Sequence, residues 1–409
     1  MIEHKEFTDV PTCWNSSKVR YIYSITKAKK PTELLDNPED GTEIYLSMDV
    51  IRKRNENLQY SHTGDLATED DMLLLWDGSN AGEIIDKHPR GFAPSTTAIL
   101  KNISSNNQRY CFYAMKYLER FIRSNTVGMG VPHVDGDYLK SLRFITPSNA
   151  DQERIANHLD HKISVIDSIL DSKDELINLL YEQRVGIISQ AVTKGLYPDS
   201  VMKDCGVKWL GQIPAHWRVV PAKALFAQSK ETRHETDIQL TASQKYGIIS
   251  QEDYMERQSY KIVLADKGLE NWKHVEPNDF IISLRSFQGG LEISYIPGCI
   301  TWHYIVLKPK AGVDPEYFKW LFKSPRYIQA LQRTANFIRD GQDLRFSNFV
   351  QVPLPLIPMD EQKEIAEYLN KETARIDSII ADITEQIEKL KEYRQSVISE
   401  VVTGKVAVE

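Results

Sequence analysis

His234-Glu235 opens in the manner of an HExxH zinc motif, but residue 238 is Ile, so the second imidazole one turn on is missing and no zinc pair forms. Gly128-Met129-Gly130 comes nearest to a loop that could cradle a nucleotide. It lacks a third glycine, and the chain has no GxxxxGK(S/T) stretch, so it reads as a turn. Asn37-Pro38-Glu39-Asp40 lacks the aromatic that amino-methyltransferases stack against a flipped base. Cys13, Cys111, Cys205 and Cys299 stand more than ninety residues apart, which excludes a CxxC redox motif or a zinc knuckle and suggests no disulfide framework. Carboxylates are scattered as in any chain. The expectation is a protein that is not an enzyme, with no catalytic, cofactor-binding or metal-binding residue of its own.

The elements around these positions must therefore serve binding. The chain has 409 residues, 41% apolar and 26% charged, as expected of a soluble globular protein of two or more domains. Met1-Ile2-Glu3-His4-Lys5 begins no apolar signal region, and the longest apolar runs, such as 72–76, are too short to cross a bilayer. A cytoplasmic location is expected. The net charge of −7 is unevenly placed. Residues 151–196 hold 5 basic against 8 acidic side chains and 360–409 hold 7 against 12, while 1–150 hold 18 against 20 and 197–359 hold 20 against 17. Near-neutral parts of this kind can still bind a polyanion through one basic face.

The chain is written twice. Residues 151–193 align without a gap on 361–403, with 17 of 43 positions identical, among them Gln152/Gln362, Ile166-Asp167-Ser168-Ile169/Ile376-Asp377-Ser378-Ile379, Glu182/Glu392 and Arg184/Arg394. Shared periodicity would explain the apolar matches. It gives no reason for Gln152, Asp167, Ser168 and Glu182 to recur, which points to duplication. A weaker echo opens each repeat: Val10-Pro11-Thr12-Cys13-Trp14 against Ile213-Pro214-Ala215-His216-Trp217. Between these landmarks the two copies share little.

Both repeated segments have a helical period. Ile376, Ile380, Ile383, Ile387 and Leu390 form a heptad seam with Arg394 in it, and Ile166, Leu170, Ile177, Leu180 and Arg184 follow the same seam in the first copy. Asn149 and Asp360 stand as N-caps, and Gly195 and Gly404 follow the last turns. Neither helix can bury its seam alone, so the two are expected to pair as an antiparallel coiled coil. The rest reads as mixed α and β, with strand-like runs at 43–46, 72–76, 280–284 and 300–307 and helix-like periodicity at 110–122 and 315–337. The expected fold is thus α/β of mixed α+β kind, a pseudo-two-fold repeat: a globular domain at 1–150, a central helix at 151–196, a linker at 197–208, a second domain at 209–358 and a distal helix at 359–409.

Lys208-Trp209-Leu210-Gly211-Gln212-Ile213-Pro214-Ala215-His216-Trp217 at the head of the second module, and the run from Pro358-Met359-Asp360-Glu361-Gln362 to Val402-Thr403-Gly404, closely resemble the specificity subunit of type I restriction–modification systems. The resemblance covers the whole chain in order, with Phe7-Thr8-Asp9 where Trp-Leu-Gly is expected in the first module. It implies two target recognition domains on conserved helices, selecting a bipartite, asymmetric target in double-stranded DNA. It further implies two modification subunits that bind S-adenosylmethionine and methylate adenine, and restriction subunits that use ATP and magnesium, with no cofactor in this chain and no membrane partner.

Base readout needs Arg, Lys, Asn or Gln at base edges. The candidates are Arg52, Lys53, Arg54 and Gln59 in the first module, and Arg285, Gln288, Arg339, Gln342 and Arg345 in the second. The rival expectation is a coiled-coil scaffold whose globular ends grip proteins rather than DNA.

Overall fold

Two short apolar runs, Met72–Leu75 and Phe280–Ile282, become the inner strands of two antiparallel sheets. The computed structural model describes residues 11, 13–52, 58–258, 268–284, 286–334 and 344–408. They fall into two compact units, Met1–Lys173 with Thr384–Glu409, and Asp174–Ile383.

In the first unit the sheet order is Tyr23–Lys27, Thr97–Asn102, Met72–Leu75, Ile84–Ile85. Strand side chains alternate between faces. Met72, Leu74, Ala98 and Leu100 therefore face the main core, while Leu73 and Ile99 face a smaller one built with Leu46, Val50, Ile51 and Ala67. The helix Gln108–Ser124 covers the main face with Tyr110, Cys111, Tyr113, Met115, Leu118 and Ile122. Its N-cap is Asn107, whose side chain accepts from Tyr110 N at 3.0 Å. Two ribbons, Glu43–Ile44 with Tyr60–Ser61 and Leu66–Ala67 with Gly91–Phe92, complete the module.

The second unit repeats that order with Phe226–Gln228, Ile305–Pro309, Phe280–Ile282 and Glu292–Ile293. Phe280, Ile282 and Leu307 face one core, Ile281 and Val306 the other. Sequences that share little in their middles thus hold one topology. Two expected elements are broken. The helical period at 315–337 becomes Pro315–Lys323 and Pro325–Gln332, because Pro325 offers no N–H and its ring excludes a helical Ser324; residues 335–337 lie outside those described. The strand expected at 300–307 becomes Gly298–Ile300 and Ile305–Pro309, with a turn between that carries Trp302 and His303. Phe226 meets Phe280, Phe318, Phe322 and Phe349 at centroid distances of 5.2–5.7 Å, pairs worth about 0.5–1.5 kcal/mol each beyond their buried area.

The long helices are Asn149–Lys194 and Met359–Val402, and each contributes to both units. Ser148 rather than Asn149 caps the first, accepting from Asp151 N at 3.2 Å. Within the first unit Asp167 accepts from Arg394 at 2.8 Å and Lys173 reaches Gln386 at 2.6 Å, so the partner's numbers fall as the helix advances and the pairing is antiparallel. Within the second unit Arg184 Nε lies 3.0 Å from Asp377, and Ile188, Ala191 and Val192 pack in one cluster with Ile365, Ala366 and Leu369. The seam residues Ile166, Ile376, Ile380, Ile383 and Ile387 are buried, and Leu170, Ile177, Leu180, Leu390 and the two arginines are partly buried. Buried Ile163 and Thr373, one repeat apart, extend the seam beyond the apolar pattern read from the sequence.

Candidate nucleic-acid interface

One recurrence that periodicity could not explain, Gln152 with Gln362, fixes each module to its helix. Gln152 and Gln362 are each 1% exposed. Gln152 Oε1 accepts from Asn107 N at 2.8 Å while its Nε2 donates to Pro147 O at 2.9 Å and Asn106 Oδ1 at 2.8 Å. Gln362 repeats the pattern with Asp314 N at 2.8 Å, Ile357 O at 2.9 Å and Gly312 O at 2.9 Å. In both units one amide ties the first turn of a long helix to the N-cap of the helix covering the sheet. Asp160 adds a second tie, accepting from Arg109 Nη2 at 2.5 Å and Tyr113 at 2.7 Å; its counterpart Asn370 accepts from Trp320 Nε1 at 3.0 Å. Burial alone would raise the Asp160 carboxyl, but Arg109 and Tyr113 outweigh it and hold it below its ordinary value.

The opening motif of each module closes over the end of a helix. Gly195 and Gly404 both sit at left-handed φ, 74° and 73°. A Cβ on Gly404 would come within 2.6 Å of Pro11 and 3.0 Å of Trp14, and one on Gly195 would meet Trp217 at 3.4 Å and Pro214 at 3.8 Å. Trp217 is fully buried and donates to Glu361 at 3.0 Å, with His216 Nε2 2.8 Å from the same carboxylate.

On this frame the second module presents an open recess of 720 Å³ lined by Gln228, Leu284, Trp302, His303, Arg345 and Phe346. Trp302 is exposed and stacks on His303 with centroids 3.5 Å apart. Arg345 is exposed at the start of Phe346–Phe349. Gln288 is exposed on the turn Ser286–Gly289, which packing pins in place. Ser286 Oγ accepts from Ser283 N at 2.8 Å, and Gly290 has φ +80° with no room for a Cβ, which would lie 2.1 Å from Phe322 O. Leu284 and Arg345, far apart in sequence, both line the recess, whereas Gln288 is not part of its lining. A flat aromatic pair beside an arginine and the Gln228 amide can stack on a base or sugar and hydrogen-bond a base edge or phosphate. Trp302, His303 and Gln228 were missed by sequence reasoning, since only the broken strand at 301–304 exposes the first two. Lys53, Arg54, Arg285, Arg339 and Gln342 lie outside the described residues.

In the first module Arg52 has its guanidinium fork on Glu83, with both bonds at 2.6 Å, and Arg123 stands 3.3 Å from the same carboxylate. Burial acts to raise Glu83 and the hydrogen bonds from Arg52 prevail, so it is held low and ionised. Arg52 therefore has a local partner that a base edge would have to displace. Gln59 is partly buried ahead of Tyr60–Ser61, its carbonyl accepting from Tyr45 N at 2.8 Å. The surface that corresponds by strand order to the recess holds Lys27, Trp76, Asp77 and His133. Lys27 Nζ is 3.0 Å from Asp77 and 5.8 Å from the Trp76 ring, and the backbones of Asp77 and Val127 each bridge to His133. Gly128-Met129-Gly130 is indeed a bend there, with Met129 and Val131 exposed.

Comparison with known proteins places this architecture. The model of the type I restriction modification DNA specificity domain matches twice, at residues 11–178 and 214–389. The type I restriction enzyme MjaVIII specificity subunit of Methanocaldococcus jannaschii is 25% identical, over 98% of this chain and 94% of the relative. The EcoBI specificity subunit of Escherichia coli is 21% identical, over 91% and 82%. A chain from a solved structure, described as the structural basis underlying complex assembly and conformational transition of the type I R-M system, shares the fold. Its TM-score is 0.68 at 12% identity, over 97% of this chain and all of that one. With two copies of the domain on a doubled helical frame, the chain belongs to the type I restriction–modification DNA specificity family.

Proposed function

We propose that this chain is the sequence-reading subunit of a type I restriction–modification complex, each module reading one half of a bipartite, asymmetric DNA target. The observation that carries this reading is one strand order kept in both modules while the side chains at the strand ends differ: Trp76, Asp77 and Lys27 in one, Leu284, Trp302 and His303, with Arg345 beside them, in the other. Selection for stability alone gives no reason to keep a frame doubled and let its exposed ends diverge. Two different readers on one frame suit two different half-sites.

In this reading the paired helices set the separation of the half-sites and dock two modification subunits, and restriction subunits join that core. S-adenosylmethionine, ATP and magnesium belong to those partners; this chain performs no chemical step. Among the described residues no helix is long and apolar enough to cross a membrane, and the proposed place of work is the cytoplasm, on double-stranded DNA.

The test is an exchange of residues 15–145 for the equivalent stretch of a related chain, followed by mapping of methylated adenines in cells that carry the partner subunits. One half-site should change and the other persist. Movement of both together refutes independent reading, and methylation that ignores the exchange favours the scaffold reading.

A further inference from the structure

The HExxH pattern fails at Ile238, yet the fold brings His234 a different imidazole. His274, on the strand Lys273–Val275, stacks on it with centroids 3.9 Å apart and planes 24° from parallel. Glu231, His234 and His274 each offer one ligand atom, and these atoms lie within 4.8 Å of one another. The His274 side chain is 8% exposed, and its Nδ1 is 2.8 Å from Asp237 Oδ2. The Asp237 carboxylate is itself fixed by the backbone N–H of His234 at 2.8 Å. A carboxylate on Nδ1 sets the tautomer that leaves the Nε2 lone pair free, the usual support behind a metal-bound histidine. The cluster borders a recess of 770 Å³ whose lining adds Glu252 and Asp253, so a cation entering it meets negative charge. Lys308, whose ammonium is 3.7 Å from Glu231 Oε2, is engaged by Glu276 at 2.6 Å and Asp279 at 3.5 Å.

Strand pairing does not demand these residues. In the first unit the equivalent ribbon places Leu66 opposite Phe92, one position before the pair Ala67–Gly91. In the second it places His274 opposite Cys299, one position before Val275–Gly298. Gly91 and Gly298 both lie against a neighbouring carbonyl, Ile44 O and Ile238 O, which fixes the equivalence. An apolar cross-strand pair serves one copy of the fold, and a buried histidine with its own carboxylate stands in the other.

We propose that Glu231, His234 and His274 form a three-ligand site for a divalent transition-metal ion of the zinc class, with Asp237 orienting His274. Two imidazoles and one carboxylate select such an ion over magnesium or calcium, which take oxygen ligands. Bonds of about 2.0–2.1 Å put tetrahedral ligand atoms about 3.3 Å apart. The half-exposed His234 and Glu231 side chains supply that closure, with His234 turning out of its stack so that both lone pairs converge. The fourth position opens on the recess and takes water. The bound ion would clamp the segment around 231–237 to the strand Lys273–Val275. This site does not depend on which DNA the chain reads.

The experiment is titration of the full chain, with any affinity tag removed and metal stripped by chelator, with cobalt(II) and then zinc. Expected is one equivalent of cobalt per chain, with ligand-field absorption and no thiolate charge-transfer band, displaced by zinc. Glu231→Gln and His234→Ala, both at exposed positions that leave the core intact, should weaken binding by more than tenfold, and Asp237→Asn by about 10–100-fold. No stoichiometric binding at micromolar concentrations, a thiolate band, or wild-type affinity in the folded His234→Ala variant would each overturn the proposal.

Discussion

Replacing Gln152 by Leu tests whether the doubled amide is what joins module to helix. The side chains are close in volume, so the change removes hydrogen bonds rather than packing. Three bonds are lost at 2.8–2.9 Å, leaving Asn107 N, Pro147 O and Asn106 Oδ1 without their partner. Net bonds are worth about 1 kcal/mol each, and each buried polar group left unpaired costs ~1–3 kcal/mol. Against this, a buried leucine returns ~1.5–3 kcal/mol. The expected loss is about 1.5–6 kcal/mol for the first unit, and the same for the second with Gln362→Leu, whose three partners match one for one. For units near two hundred residues that lowers the corresponding calorimetric transition by roughly 3–24 °C. The assay is differential scanning calorimetry of each variant beside Gln190→Leu, an exposed helical position expected to be silent. A shift below about 1 kcal/mol in both variants would mean the freed groups find water, and a large shift in only one would break the equivalence of the two joints.

Trp302→Ala and Arg345→Ala should each weaken binding of duplex DNA carrying the target at least several-fold, and Arg52→Ala should leave half-site preference unchanged; both are read by fluorescence anisotropy at fixed salt. Because the folded Asp160 carboxyl titrates below its unfolded value, its contribution is full above about pH 4 and is lost as pH falls through the folded value. Urea midpoints of the first unit should therefore drop as pH falls below about 4, and Asp160→Asn should flatten that drop. Burial pushes the Cys111 thiol up to about 12 and the Cys299 thiol to about 11, whereas Cys13 is exposed. Iodoacetamide at pH 8 should label Cys13 first and reach Cys111 and Cys299 only after denaturation, as peptide mass mapping would show.

The helical frame was legible because its signals are local and periodic. The seam from Ile376 to Arg394 needs only a heptad count, and the duplication needs only an alignment. Gln152 and Asp167 announced themselves by recurring without a seam reason, although their partners, Asn107 N and Arg394, could not be read from a single strip of sequence. The shared strand order stayed hidden because topology is carried by alternation, as in Met72 and Leu74 against Leu73, which tolerates almost any apolar identity. The break at Ser324-Pro325 was legible in principle: proline within a helical period is a stop signal that the apolar spacing of 315–337 outweighed. The proposed readout surface was the least legible. Arg52 looks available in the sequence until a residue thirty-one positions on, Glu83, is folded against it. Trp302 and His303 meet Gln228, Leu284 and Arg345, and His274 meets His234, only when segments distant in sequence fold together.

The boundary between the two compact units cuts the central helix after Lys173 and the distal helix after Ile383, and these cuts are one repeat apart. Deleting 174–383 would join Lys173 to Thr384 with helical phase unbroken, leaving one module and a single hybrid helix. That helix carries Asp167 and, at the former position 394, its arginine. They stand seventeen positions apart, about 25 Å along one axis at ~1.5 Å per residue, and cannot meet. Two copies laid antiparallel satisfy both pairs at once, each arginine on the other's aspartate, in a self-complementary homodimer. On the proposed function, such a product would read the same half-site twice in opposite directions, a palindrome. A single in-frame deletion would then separate a reader of asymmetric targets from a reader of symmetric ones, with the reciprocal Asp–Arg pairs as the joints in either state.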